Sequence, residues 1–228
     1  MKRKNFLKNL GLLGASAVSI PLINSCSKND SSNGNSNSLE KTSCGDFITP
    51  PVNEGPYYVN ENLNRSNISE TKTGVPLTLI FTVEDVNCVP IQGAIVDIWQ
   101  CDKDGIYSDE AAQSTVGQKW LRGYQQTDIN GKCTFQTIFP GWYNGRLTHI
   151  HGKVKVGSVT KQTTNFFLPK SAELAVYGSS LYTKGQNPTT VANDVELRGN
   201  TTSYNALMMT IEGDLTSGYV AKFAIAYK

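Results

Sequence analysis

The stretch Leu77-Thr78-Leu79-Ile80-Phe81-Thr82-Val83-Glu84 decides the fold class of this chain. Leu77, Leu79, Phe81 and Val83 alternate with Thr78, Ile80, Thr82 and Glu84. Side chains of an extended strand point to opposite faces in turn, so a period of two predicts a β-strand with one buried face. Beyond a turn-rich segment over residues 85–93, Ala94–Cys101 reads as a second strand, closed by a turn at Asp102-Lys103-Asp104-Gly105. Asn130-Gly131 carries the strongest short hairpin signal and leads into a strand over Lys132–Phe139. Thr148–Val156 and Lys161–Phe167 read as a hairpin across Gly157-Ser158, and Leu207–Ile211 with Val220–Tyr227 as a final pair. Only Ser171–Tyr177 offers a helical turn or two. Regularly spaced strands with turn signals predict an all-β architecture, an antiparallel β-sandwich or an irregular barrel with long loops.

Hydrophobic residues at 39% and charged residues at 18% of the 228 place the chain among globular proteins. The formal charge of +2 is carried by an address. Residues 1–25 read as a signal peptide, with a basic start (Lys2, Arg3, Lys4, Lys8) and an apolar run over Leu10–Ile23 that is short for a membrane span. Ile23-Asn24-Ser25-Cys26 resembles a lipobox, which implies cleavage before Cys26 and lipidation of that cysteine. Lys2-Arg3-Lys4 resembles a twin-arginine signal with one arginine replaced, which leaves the export route open. Residues 26–45 are rich in Ser and Asn and read as a flexible, lipid-anchored linker. The expected division is therefore signal 1–25, linker 26–45 and a domain over 46–228, exported and held at a bacterial membrane only by lipid. Beyond the signal, 17 basic residues face 19 acidic ones, a balance that excludes a basic nucleic-acid-binding face. Cys44, Cys88, Cys101 and Cys133 form an even set in an exported chain, which suggests disulfides with three pairings open.

The only two histidines, His149 and His151, sit two apart in one predicted strand. Residues i and i+2 of a strand share a face, so both imidazoles can reach one point. No Asp or Glu lies near them in sequence, the nearest being Asp128 and Glu173, so an Fe(II) facial triad needs a carboxylate supplied by the fold. Tyrosines are closer: Tyr143 precedes the histidine strand in Pro140-Gly141-Trp142-Tyr143, and Tyr107 closes the Gly105-Ile106-Tyr107 turn. Phenolate is a hard anionic ligand suited to Fe(III), and with a free pKa near 10 it ionises at neutral pH only beside a strong Lewis acid.

Gly105-x-Tyr107, Pro140-Gly141-x-Tyr143 and Arg146-x-x-His149-x-His151, in that order, resemble the intradiol ring-cleavage dioxygenases. The resemblance spans residues 46–167 and includes Asn53-Glu54-Gly55-Pro56-Tyr57-Tyr58 and Gly93-Ala94-Ile95-Val96-Asp97-Ile98-Trp99-Gln100. It implies an Fe(III) site in which Tyr107 and His149 are equatorial and Tyr143 and His151 axial. It also implies a catecholic substrate opened between its hydroxyls by O2 to a muconate-type diacid, with Arg146 stabilising negative charge on the ring. Asn165 falls where the resemblance leads one to expect a glutamine beside the site; it keeps the amide and shortens its reach. Residues before 46 do not read as the helical dimerisation domain of the catechol and hydroxyquinol enzymes, and homo-oligomerisation stays open. Specificity is expected in loops 109–118 and 172–195, with Tyr57 and Tyr58 lining the pocket mouth or packing in the core. The rival reading is a catalytically inactive transthyretin-like or adhesion-type β-sandwich tethered to the membrane, because Pro-x-x-Gly-Ala-x-Val with Thr-Asp-x-x-Gly also occurs in such modules.

Overall fold

The alternation centred on Leu77 becomes strand β1, Pro76–Asp85, whose odd-numbered residues Leu77, Leu79, Phe81 and Val83 are buried. A computed structural model describes residues 47–228. The signal segment, Cys26, the linker and Cys44 lie outside the described residues. The remaining strands are β2 (Ile95–Trp99), β3 (Arg122–Gln126), β4 (Lys132–Ile138), β5 (His149–Val156), β6 (Val159–Phe167), β7 (Thr210–Asp214) and β8 (Gly218–Tyr227). Two short helices, α1 (Lys170–Tyr177) and α2 (Thr201–Ala206), lie between β6 and β7. Among the described residues no helix is long and apolar enough to cross a membrane.

The strands form two four-stranded sheets, ordered β4-β1-β8-β7 and β3-β2-β5-β6. Leu79, Phe81, Phe135, Phe223 and Ile225 of the first share one core with Val96, Ile98, Ile150, Val154 and Phe166 of the second. Phe166 ties the two together, its ring 4.7 Å from Phe81 and 5.0 Å from Phe223. Each such side chain contributes about 1.5–3 kcal/mol by leaving water.

Three expectations need correction. The first sheet is mixed, not wholly antiparallel: β1 runs antiparallel to β4 and parallel to β8. Alternation looks the same read from either end of a strand, so periodicity carries no direction. Asn130-Gly131 does form a tight turn, with Asp128 Oδ1 accepting from the amides of Asn130 and Lys132 at 2.8 Å each. The strands it joins, β3 and β4, belong to different sheets, so it makes an arch and not a hairpin. Finally, Cys88, Cys101 and Cys133 are free, so none of these three pairs with another. The β5–β6 hairpin across Gly157-Ser158 is present, and the last pair is shifted to Thr210–Asp214 against Gly218–Tyr227. Helix α2 is not among the expected elements; Asn200 caps it by accepting from the Ser203 amide at 2.9 Å.

The second sheet's other face carries His149 and His151. Residues 52–65 cross it from β6 to β3: the Val52 amide bonds Thr163 O at 3.0 Å, and the Tyr124 amide bonds Leu63 O at 2.8 Å. This strap buries a face that a half-exposed sheet would leave wet, and it includes Gly55, where an added Cβ would lie 3.6 Å from His151 Cε1.

Candidate metal centre

Strand β5 delivers both histidines to that covered face, while Ile150 and Val154 on the opposite parity enter the core. His149 and His151 are 3% and 1% exposed. Tyr107 and Tyr143 arrive from two loops, residues 100–121 and 139–148, that touch each other backbone to backbone. A Cβ at Gly105 would overlap the Trp142 carbonyl, and one at Gly141 would overlap the Lys103 carbonyl. The Gly141 amide meanwhile donates to Asp102 O at 2.9 Å. Glycine at both positions therefore permits the close approach that brings the two phenols together.

Four donor atoms converge. His149 Nε2 lies 3.0 Å from His151 Nε2, 3.2 Å from Tyr143 Oη, and His151 Nε2 lies 3.1 Å from Tyr107 Oη. The ring orientations are set from behind. His149 Nδ1 donates to Leu147 O at 2.5 Å; a carbonyl only accepts, so Nε2 turns its lone pair to the centre. His151 pairs in register with Asn165 of β6 and Trp99 of β2. Asn165 Oδ1 accepts from Arg146 Nη2 at 2.6 Å, which turns its amide nitrogen to His151 Nδ1 at 2.9 Å. Trp99 stacks on His151 with ring centroids 4.9 Å apart and planes within 6°.

Electrostatics follow from burial. Burial holds both imidazoles well below their usual range, helped by the positive charge of Arg146 at His149 and by His149 and then Arg146 at His151, so both stay neutral. Burial likewise pushes the Tyr107 and Tyr143 phenols up, with Arg146 pulling partly back in each case. Without a strong Lewis acid, both remain protonated. Among the described residues no cluster of three or more His, Cys, Asp or Glu is present, so no carboxylate completes a facial triad.

Tyr57 stacks on Tyr107 at 4.2 Å and meets Tyr143 edge-on at 5.9 Å, placing it inside the site. Tyr58 packs one layer away, 4.8 Å from Trp99, and donates to Asp97 Oδ2 at 3.0 Å. Arg122, buried, ties the strap to the Tyr107 loop: Nη1 donates to Tyr57 O at 2.7 Å and Nη2 to Ser108 O at 2.6 Å. Sequence reasoning passed over Arg122, Trp99 and Asp194, which grips Arg146. Trp99 had a legible signal, since its strand parity matches Asp97 and Cys101, but the register that sets it against His151 was not legible.

Comparison with known proteins bears on the family. A family model described as Dioxygenase matches residues 53–155. A solved intradiol ring-cleavage dioxygenase from Tetranychus urticae is 31% identical, with a TM-score of 0.71, over 79% of this chain and 94% of that one. The dioxygenase domain of a dioxygenase carbohydrate-binding protein fusion from Streptomyces sp. SirexAA-E is 27% identical, with a TM-score of 0.61, over 79% and 98%. Catechol 1,2-dioxygenase 1 of Acinetobacter lwoffii is 28% identical over 141 residues, 52% of this chain and 45% of that protein. The chain spans about half the length of the curated relatives it matches. From the shared fold, the ordered tyrosine and histidine motifs and these likenesses together, the chain belongs to the intradiol ring-cleavage dioxygenase family.

Proposed function

We propose that this protein is a non-haem Fe(III) dioxygenase that opens a catecholic ring between its two hydroxyls with O2, giving a muconate-type diacid. The observation that carries the reading is the convergence of Tyr107 Oη, Tyr143 Oη, His149 Nε2 and His151 Nε2 at successive separations of 3.0–3.2 Å. The donor set fits the ion. Two neutral imidazoles and two hard phenolates suit Fe(III), and the phenolates offset much of its charge in a buried site. Bound there, Fe(III) would supply the Lewis acidity and electron exchange that make a catechol ring reactive toward O2.

The chain's own residues do the rest. Tyr57, stacked on Tyr107 and half-buried, forms an aromatic wall against which a planar ring can lie. Tyr143 is more exposed than Tyr107, so its Oη is the phenol oxygen placed to take a hydroxyl proton from an entering catechol. Arg146, 5% exposed and held on Asn165 and Asp194, presents fixed positive charge to negative charge developing on the ring. The strap over residues 52–65 keeps bulk water off the sheet face. A two-sheet sandwich carrying this centre on its loops and on β5 accounts for why the core needs no part of the chemistry. By the sequence signals, the protein is exported, cleaved before Cys26 and lipid-anchored, with residues 26–45 as tether.

The test is the visible spectrum and oxygen uptake of the purified protein. A tyrosinate-to-Fe(III) charge-transfer band that shifts on anaerobic addition of catechol, with a diacid formed on admitting O2, is the expected result. Protein that stays colourless after Fe(III) loading and consumes no O2 with catechols would overturn the reading in favour of a binding module.

A further inference from the structure

We propose that Asp194 is the positioning residue that sets both histidines of the centre at once, gripping Arg146 and Leu147 from a loop more than 40 residues downstream. Its carboxylate is 1% exposed. Oδ2 accepts from Arg146 Nε at 3.2 Å and from the Leu147 amide at 2.7 Å. Oδ1 accepts from the amides of Glu196 and Leu197 at 2.9 Å each. All four contacts are donors, so the group is satisfied only as a carboxylate that accepts on both oxygens.

Two arms leave this carboxylate. Through Arg146, whose Nη2 bonds Asn165 Oδ1, it holds in place the amide whose nitrogen lies 2.9 Å from His151 Nδ1. Through the Leu147 amide, it anchors the residue whose own carbonyl, one peptide further on, takes the His149 Nδ1 hydrogen. The loop is itself fastened to the same stretch: the Val195 amide bonds Gly145 O at 3.0 Å, and Asn187 Nδ2 bonds Arg146 O at 3.0 Å. A buried charge with one guanidinium and three amides as partners is a costly feature unless the geometry it enforces is used. Asp194→Asn keeps the shape and turns an NH2 toward one pair of donors. Either Arg146 and Leu147 or Glu196 and Leu197 then lose their acceptor.

The kinetic arm rests on the dioxygenase reading; the structural arm does not. With only two histidines in the chain, long-range 15N–1H spectra of the full-length, iron-free protein read both rings directly. Wild type is expected to show His149 as a single Nδ1–H tautomer with a slowly exchanging proton, and one protected arginine Nε–H that vanishes in Arg146→Lys. D194N is expected to lose the His149 protection while core methyl resonances stay in place. In the iron-loaded enzyme it should lower kcat by about 10- to 100-fold, with KM moving much less, as found for groups that orient metal-bound histidines. Unchanged histidine spectra in a folded D194N overturn the proposal, as does wild-type kcat in that variant. If D194N does not fold, absence of the protected His149 and arginine protons in wild type overturns it, and their presence supports it. A wild-type protein that binds no iron and cleaves no catechol sinks the dioxygenase reading, while the imidazole spectra still decide Asp194.

Discussion

Replacing Gly141 by Ala adds one methyl group at the point where the loops carrying Tyr107 and Tyr143 touch. The new Cβ would overlap the Lys103 carbonyl and come within 2.7 Å of Asp102 O, against 3.4–4 Å for ordinary contact. Backbone obstructs it on the far side, so no side chain can swing away. Relieving the overlap requires the loops to part by about 1 Å, a displacement that in a catalytic constellation costs roughly 100-fold in rate. Overpacking of this kind costs about 1–3 kcal/mol, or some 2–12 °C of Tm for a domain of this size. The control is Gly157→Ala in the β5–β6 turn. Nothing lies within 4 Å of its Cβ, and only the positive φ of 60° is strained. G157A should lower Tm by the cost of one left-handed residue, about 1–2 kcal/mol, and leave turnover alone. Thermal melts of both variants, with catechol turnover and the visible band measured alongside, check the argument. A G141A protein that melts with wild type and keeps its rate would refute the claim that contact between these loops sets the two phenols.

Other consequences follow from the same contacts. Asn165→Gln, although it restores the amide length expected from the family resemblance, should cost about 1–3 kcal/mol and reduce turnover. Asn165 is fully buried between Arg146 and His151, so an added methylene must displace one of them. A melt and a rate at wild-type values would contradict this. Asp85, Asp128 and Asp214 cap turns by accepting backbone amides, which holds each carboxyl below its ordinary value. A depressed folded pKa means that their stabilisation is fully present above the unfolded value near 3.8 and is lost as pH falls through the folded one. Urea midpoints of wild type should therefore fall below pH 4, and the triple Asn variant should lose less over that range. Burial pushes the Cys101 and Cys133 thiols up to about 12, whereas Cys88 is half-exposed. In native protein a thiol reagent should modify Cys88 quickly and the other two only on unfolding, as peptide mapping would show.

Much of the fold was legible because burial writes itself into alternation. The β1 and β5–β6 assignments needed nothing beyond a period of two and a Gly-containing turn, and α1 was visible as a short helical stretch. The candidate centre was legible for a related reason. His149 and His151 lie two apart in a strand, and strand geometry alone aims both at one point. The two tyrosines were singled out by nearby loops and by the family's motif order. Tyr57 was left between pocket wall and core, and the stacking on Tyr107 places it in the site.

What the sequence determined by itself, then, was local: which residues extend, which turn, and which side of β5 carries imidazoles. Those properties depend on the bonded geometry of a few neighbouring residues. The tertiary structure decided strand direction and sheet membership, so that β8 runs parallel to β1 and the Asn130-Gly131 turn joins two sheets. It also decided that Asn165 and Trp99 flank His151 across strand pairs, and that Asp194 reaches back to Arg146 and Leu147. These depend on hydrogen bonds and packing between residues far apart in the chain. A carboxylate 48 positions from its guanidinium leaves no trace in the spacing of either.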